Sequence, residues 1–299
     1  MKKAIGIDVG GTKIRGGIVR EDGQLLKVQE VPTEAHLGGK EMVERIIRLI
    51  HQLGTVEVAG VGVGTSGQVS LQGELLSATD LFPEWAGIAL QRVLQERLQL
   101  PVRVVNDVQA MALGELAFGA GHRYKDFLCL ALGTGVGGAI VYKGRLMRGA
   151  NGAAGEVGHM LLHPGGRRCP CGQVGCFEAY VSGRALEERY LERTGVRQTG
   201  SSILQSPWEG DPRASGLLEE YLEDLCKGIA SLVAVLNPQA VILGGGVARS
   251  LPPYVPQVEK KVLSLLSRAA AQNFSLVLSE LGDSSMLLGA GSLLFDQKE

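Results

Sequence analysis

Three things are scarce in this chain of 299 residues, and each scarcity removes a class of function. Surplus charge is the first. Thirty Lys and Arg against 31 Asp and Glu leave a net charge of −1. The chain therefore lacks the basic excess by which nucleic-acid and membrane-surface binders hold phosphate. Aromatic residues are the second, at 5%; without a cluster of them there is no stacking platform for single-stranded RNA or DNA. Long apolar runs are the third. The longest uncharged stretch, residues 228–248, is split by Asn237-Pro238-Gln239 and ended by Gly244-Gly245-Gly246. It reads as a buried helix followed by a buried strand rather than a membrane span. The opening Met1-Lys2-Lys3 meets Asp8 before an apolar signal core can form, so a cytoplasmic protein is expected. Five cysteines, an odd number, suit a reducing compartment better than a disulfide framework.

What is present is enough apolar residue, 45%, for two ordinary domains. Residues 3–9, 13–19 and 25–31 read as an antiparallel meander of strands, with a turn at Asp22-Gly23. Met42, Val43, Ile46, Ile47, Leu49 and Ile50 fall at helical spacing within residues 41–53. A strand over 56–63, a helix over 88–98, a strand over 102–105 and a helix over 108–117 follow. The pattern then restarts. Strands at 127–132 and 136–142 flank Gly133-Thr134-Gly135, as the first two strands flank Gly10-Gly11-Thr12. Helices at 184–193, 217–236 and 255–268, strands at 240–243 and 276–278, and a helix after Asp283 complete the second half. One device used twice implies a duplicated α/β domain, 1–118 and 119–299, around a cleft.

The densest chemistry lies at Glu156-Val157-Gly158-His159 and Cys169-Pro170-Cys171-Gly172-Gln173-Val174-Gly175-Cys176-Phe177-Glu178. Cys-x-Cys-x4-Cys supplies three thiolates, and a closed structural Zn2+ site takes four ligands in a tetrahedron. Gly172 and Gly175 allow the tight turns that aim neighbouring thiols at one point. The fourth ligand falls to His159 or His163. Such a site has no open position, so the metal is structural and holds Glu156 and Glu178 in place.

The glycine hairpins offer consecutive backbone N–H groups to an anion, or are simply tight turns. Neither is followed by Gly-Lys-Ser/Thr, so neither is a P-loop. Asp8, at a strand tip before the first hairpin, suits Mg2+ held through water, or a turn cap. Thr12 and Lys13 can reach a transferred phosphate; Lys13 reads equally as a solvated strand residue. Asn106-Asp107 ends a strand, where α/β folds place their sites. Asp107 reads either as a base for an attacking hydroxyl or as the helix N-cap. Glu156, His159 and Glu178 can grip sugar hydroxyls, and Gly244-Gly245-Gly246 lets a flat base or ribose lie on the backbone.

These motifs together resemble the ROK family of sugar kinases and sugar-responsive repressors, which have the actin-like ATPase (hexokinase, ribonuclease H-like) fold. The resemblance runs from Ile5 to about Leu294 and rests on Asp8-x-Gly-Gly-Thr-Lys13, Asn106-Asp107, residues 132–138, Glu156-x-Gly-His159, the Cys169 to Glu178 motif and Gly244-Gly-Gly246. It implies ATP-dependent phosphorylation of a hexose 6-hydroxyl, with glucose first and N-acetylmannosamine the alternative. By the resemblance Asp107 is the general base, and Asn106, Glu156, His159 and Glu178 bind the sugar. His159, Cys169, Cys171 and Cys176 hold a zinc insertion. Asp8, the hairpins and Gly244 to Gly246 handle Mg·ATP, and a homodimer is expected. Two loops depart from the family's glucokinase pattern: Thr65-Ser66-Gly67-Gln68 and Thr79-Asp80-Leu81-Phe82-Pro83-Glu84-Trp85, both expected to face the sugar. A repressor would add a helix-turn-helix domain, whereas here the kinase-like pattern starts at Lys3.

Overall fold

Hydrophobic alternation and glycine turns build two similar sheets. The structure, a computed structural model, describes residues 1–78, 82–205 and 212–295. Thr79, Asp80 and Leu81 of the second departing loop lie outside the described residues. The chain divides into two compact units: Met1–Lys125, Ala139–Ala154 and Glu280–Glu299 form one, Asp126–Gly138 and Gly155–Ser279 the other.

In the first unit β1 (Lys3–Val9), β2 (Lys13–Arg20) and β3 (Leu25–Pro32) form the expected meander. Helix α1 (Gly39–Leu53) leads to β4 (Val61–Thr65), then to the small hairpin β5 (Gln68–Val69) and β6 (Leu75–Ser77). Helix α2 (Leu90–Leu98), strand β7 (Val102–Asn106) and helix α3 (Asp107–Phe118) follow. The sheet order is β3-β2-β1-β4-β7, with β1, β4 and β7 parallel. Three parallel neighbours therefore end at one edge, where Val9 pairs Thr65 and Thr65 pairs Asn106. The second sheet repeats this order as β10-β9-β8-β11-β12, from β8 (Phe127–Leu132), β9 (Val136–Tyr142), β10 (Arg145–Met147), β11 (Ala240–Gly244) and β12 (Ser275–Leu278). Among the described residues the remaining α-helices are α4 (Glu178–Val181), α5 (Gly183–Thr194), α6 (Gly200–Gln205), α7 (Leu217–Leu236), α8 (Val255–Leu265) and α9 (Ser285–Ser292). Residues 228–248 are the end of α7 and all of β11, a helix then a strand. Among the described residues no helix is long and apolar enough to cross a membrane.

The strand expected at 56–63 starts later, at Val61. Val56 is 84% exposed and Glu57 has a left-handed φ of 60°, so the apolar run begins in a loop. The edge strand β10 has three residues and was not expected.

One face of the first sheet carries α1 and α2. All six apolar positions that mark α1 in the sequence are buried, and they join Ile5, Ile7, Val61 and Val63 in one core. The opposite face takes α3 and α9 at very short range. A Cβ on Gly6 would overlap the Leu287 carbonyl oxygen, and one on Gly62 the Ala290 carbonyl oxygen. Both obstacles are backbone, so no rotamer change relieves them. Gly62→Ala is therefore expected to lower stability by about 1–3 kcal/mol, the range for overpacked interiors. The midpoint of urea unfolding measures it, and an unchanged midpoint would contradict this account of the packing.

Candidate functional site

In the first unit the assigned residues gather at the ends of β1, β4 and β7. Asp8 lies opposite Arg15 on β2, and Gly10-Gly11-Thr12 forms the connecting loop. That loop closes through Gly10 N–H to Lys13 O at 3.1 Å, and buried Thr33 anchors it through Oγ1 to Gly10 O at 2.6 Å. Burial pushes the Asp8 carboxyl up to about 6, against the opposing pull of Arg15 and Lys13. Among the described residues nothing hydrogen-bonds that carboxylate. Lys13 is exposed and pairs with Glu30 at 3.0 Å, a solvated contact of little energetic weight.

The capping question at Asn106-Asp107 has a definite answer. Asn106 is the N-cap of α3: its Oδ1 accepts from Val108 N at 2.9 Å and Gln109 N at 3.3 Å. Its Nδ2 donates to Gly67 O at 3.0 Å, which ties the first departing loop to the helix start. Asp107 is thereby the first helical residue, with Oδ1 accepting from Val108 N at 2.8 Å. Thr65 and Trp85, from the two departing loops, also meet: the buried Trp85 Nε1 donates to Thr65 Oγ1 at 3.1 Å.

In the second unit Gly133-Thr134-Gly135 joins β8 to β9 and closes through Gly133 N–H to Gly135 O at 3.0 Å. Gly244 pairs with Ala131 in parallel register, so the glycine run lies beside that loop. Val247 N–H donates to Leu132 O at 2.9 Å. The expected nucleotide residues of this unit are thus neighbours at the ends of β8 and β11.

Glu178 links the second hairpin to the cysteines. Its Oε2 accepts from Val136 N at 2.8 Å, and its Oε1 lies 3.7 Å from Cys169 Sγ. A Cβ on Gly135 would fall 2.6 Å from the same carboxylate. Gly158 of Glu-x-Gly-His is required in the same way, since a Cβ there would overlap the Val136 carbonyl oxygen. These two contacts escape sequence reasoning because each joins residues distant along the chain.

The cysteine motif is a tight double turn. Gly172 and Gly175 both take φ of 89°, left-handed values that glycine adopts without strain. Cys169 N–H donates to Gln173 O and Gly172 N–H back to Cys169 O, which turns the chain around Cys171. One potential ligand atom from each of His159, Cys169, Cys171 and Cys176 lies within 4.8 Å of the others. Cys171 and Cys176 Sγ are 3.7 Å apart, and Cys169 Sγ is 3.9 Å from His159 Nδ1. His159 Nε2 points the other way, 3.8 Å from Glu156 Oε2. His163 is engaged elsewhere, with Nε2 2.7 Å from Asp224 Oδ1.

Comparison with known proteins gives these residues a context. A profile described as the ROK family matches residues 4–297. Glucokinase from Thermotoga maritima is 31% identical over 309 residues, covering 98% of this chain and 97% of that one. A solved ROK family glucokinase from Streptomyces griseus, in complex with glucose and AMPPNP, superposes with a TM-score of 0.83 at 32% identity, over 97% of this chain and 98% of that one. A xylose repressor from Caldicellulosiruptor bescii is 29% identical over 306 residues, covering 95% of this chain and 76% of the repressor.

Proposed function

The chain belongs to the ROK family and has the actin-like α/β fold of its sugar kinases, and from that premise we propose that it transfers the γ-phosphoryl group of ATP to the 6-hydroxyl of a hexose, glucose first. The observation that carries the reading is Asp107 as the first residue of α3, with capping done by Asn106. With Asn106 as the N-cap, Asp107 sits in the first turn with Oδ1 accepting from Val108 N, a carboxylate fixed at the end of β7 where a base is needed. Asp107 takes the hydroxyl proton as the oxygen bonds to the γ-phosphorus and ADP departs with the bridging oxygen. Asn106, Glu156, His159 and Glu178 orient the sugar hydroxyls, and Gly67 is held against the site by Asn106. Thr12, Gly133 to Gly135 and Gly244 to Gly246 receive the nucleotide. A homodimer and two actin-like domains, 1–118 and 119–299, belong to the same proposal; the compact units differ from those halves in that residues 119–125, 139–154 and 280–299 go with the first.

Mg2+ fits beside Asp8, an acidic group at a phosphate-type turn to which nothing hydrogen-bonds among the described residues, and would neutralise charge on the phosphoryl oxygens. Zn2+ fits His159, Cys169, Cys171 and Cys176. Bond lengths of about 2.3 Å in a tetrahedron put sulfurs about 3.8 Å apart, beside the 3.7 Å found. Burial pushes the Cys169 and Cys176 thiols up, whereas at Cys171 burial is outweighed by hydrogen bonds from the Gln173 backbone and the neighbouring thiols, which lower that thiol, so a cation is needed to hold all three as thiolates.

The test is ADP release from Mg·ATP across glucose, mannose, fructose, N-acetylglucosamine and N-acetylmannosamine. Strongest turnover on glucose is expected. Preference for N-acetylmannosamine would reassign the substrate to the loops at 65–68 and 79–85. No turnover on any hexose, with the protein folded, would overturn the kinase reading in favour of the sugar-responsive regulator to which the repressor similarity points.

Asp8 gives this proposal a pH signature. Its folded value, about 6, lies above the ordinary 3.8, so below about 6 the folded protein holds the proton and loses the charge that serves the metal. KM for Mg·ATP is expected to rise as pH falls through about 6. The same shift means that the ionised carboxylate opposes folding at neutral pH. That penalty is present above the folded value and disappears as pH falls toward 3.8. Asp8→Asn should therefore melt higher than wild type at pH 7 while binding Mg·ATP at least tenfold more weakly. A variant both less stable and fully active would refute the assignment.

A further inference from the structure

The first unit holds a cavity of about 960 Å³, and none of the described residues that line it is among those assigned above. Every residue that lines it belongs to the first unit. Its size is that of a small-molecule site. Arg103 of β7, Arg145 of β10 and Arg148 just beyond β10 all border it, with Phe118, Leu146 and Phe295 among its apolar walls. Among the described residues Glu21 is the one acidic residue on its lining.

Many arginines of this chain are paired with carboxylates. Arg189, which is deeply buried, is paired with Glu220 and Asp224. Arg20, Arg45, Arg97 and Arg167 each have a carboxylate partner too. Among the described residues Arg103, Arg145 and Arg148 have none. Arg148 donates from Nη2 to Ser70 O at 2.9 Å, and Arg103 makes one long contact of 3.4 Å to Val102 O. Arg148 Nε is buried without a hydrogen-bond partner, and burial lowers the pKa of its guanidinium. Arg148, part-buried without an opposite charge, is held at a penalty that a bound anion would remove, and the exposed Arg103 and Arg145 add charge to the same lining. Guanidinium groups fit phosphate oxygens through paired N–H donors.

We propose that this cavity binds a small phosphorylated molecule with an apolar body, its phosphate among Arg103, Arg145 and Arg148 and its apolar part against Phe118 and Leu146. The site is separate from the phosphoryl-transfer site and does not depend on which hexose, if any, the chain phosphorylates.

The experiment titrates the full chain with 8-anilinonaphthalene-1-sulfonate, an anion with an aromatic body, and follows its fluorescence. Saturable binding of one probe per chain is expected. Phenyl phosphate should displace it, and inorganic phosphate at least tenfold less well. The double variant Arg103→Ala/Arg145→Ala should weaken the probe at least tenfold, with hexose turnover and circular dichroism unchanged. Arg103→Lys/Arg145→Lys, which keeps the charge, should recover most of the affinity. Equal displacement by phenol would mean that the site reads only the apolar body, and would overturn the phosphate assignment. So would equal probe affinity in the wild type and the double alanine variant, or no saturable binding.

Discussion

Asp107→Asn is expected to lower hexose turnover by about 10²–10⁴-fold, the usual contribution of a positioned base. KM for the hexose should change only a few-fold. The substitution is nearly isosteric, and the local structure says what it leaves intact. The helix cap belongs to Asn106, so α3 still starts where it did. The Asn oxygen can still accept from Val108 N, as Asp107 Oδ1 does. One structural loss is the negative charge in the first turn of a helix, worth about 0.3–1 kcal/mol of stability. What disappears chemically is the proton acceptor, and a factor of 10²–10⁴ is about 3–5 kcal/mol of barrier. The two effects differ enough to separate: melting should barely move while kcat collapses. Asp107→Ala should be equally inactive. Turnover near wild type in either variant would remove Asp107 as the base. Asn106→Ala is the contrasting case. It strips α3 of its cap, about 1 kcal/mol, and frees Gly67, so stability and KM should suffer together.

That contrast shows where a sequence stops being legible. Strand β1, helix α1 and the glycines of the double turn were readable because their signals are local. Alternating apolar residues, a helical stripe, and Gly at a left-handed turn need only neighbours within a few positions. The Cys169 to Cys176 spacing was readable for the same reason. The choice between Asn106 and Asp107 as cap was not, because both residues cap well and only the helix start decides. The Glu178 to Val136 bond, the fit of Gly158 on Val136 and the meeting of Thr65 with Trp85 join segments 20 or more residues apart. No local pattern announces them. Helix α9 is the extreme case: its residues 287–290 set the glycines at Gly6 and Gly62, near the other end of the chain. The hairpin of β5 and β6, and the three-residue β10, were too short to show a period.

Loss of zinc is the second large effect, and its expected reach follows from the contacts of Glu178. The purified protein should hold one equivalent of Zn2+ by elemental analysis. Cys169→Ser should lose it, and strong chelation should remove it from the wild type. The double turn without metal has two β-bridges, Leu161 with Cys176 and Arg168 with Val174, and a few turn hydrogen bonds. The Cys169 and Cys176 thiols, pushed up by burial, then stay protonated rather than pull the loop together. A metal site that contributes a few kcal/mol would lower the melting temperature by on the order of 10 °C, at 2–4 °C per kcal/mol. The functional effect should exceed the thermal one. Cys169 Sγ sits 3.7 Å from Glu178 Oε1 and 3.9 Å from His159 Nδ1, so two proposed sugar ligands lose their backing at once. Hexose KM is expected to rise at least tenfold, with KM for Mg·ATP less affected. Cys226→Ser is the control. That thiol is buried against Val258 O, away from the cluster, and its replacement should leave the zinc content unchanged. A metal-free protein that melts and binds hexose like the wild type would end the structural-zinc reading and make the four-residue cluster a packing feature. A zinc-containing Cys169→Ser protein would instead show that three ligands suffice, so that Cys169 supports Glu178 by contact alone.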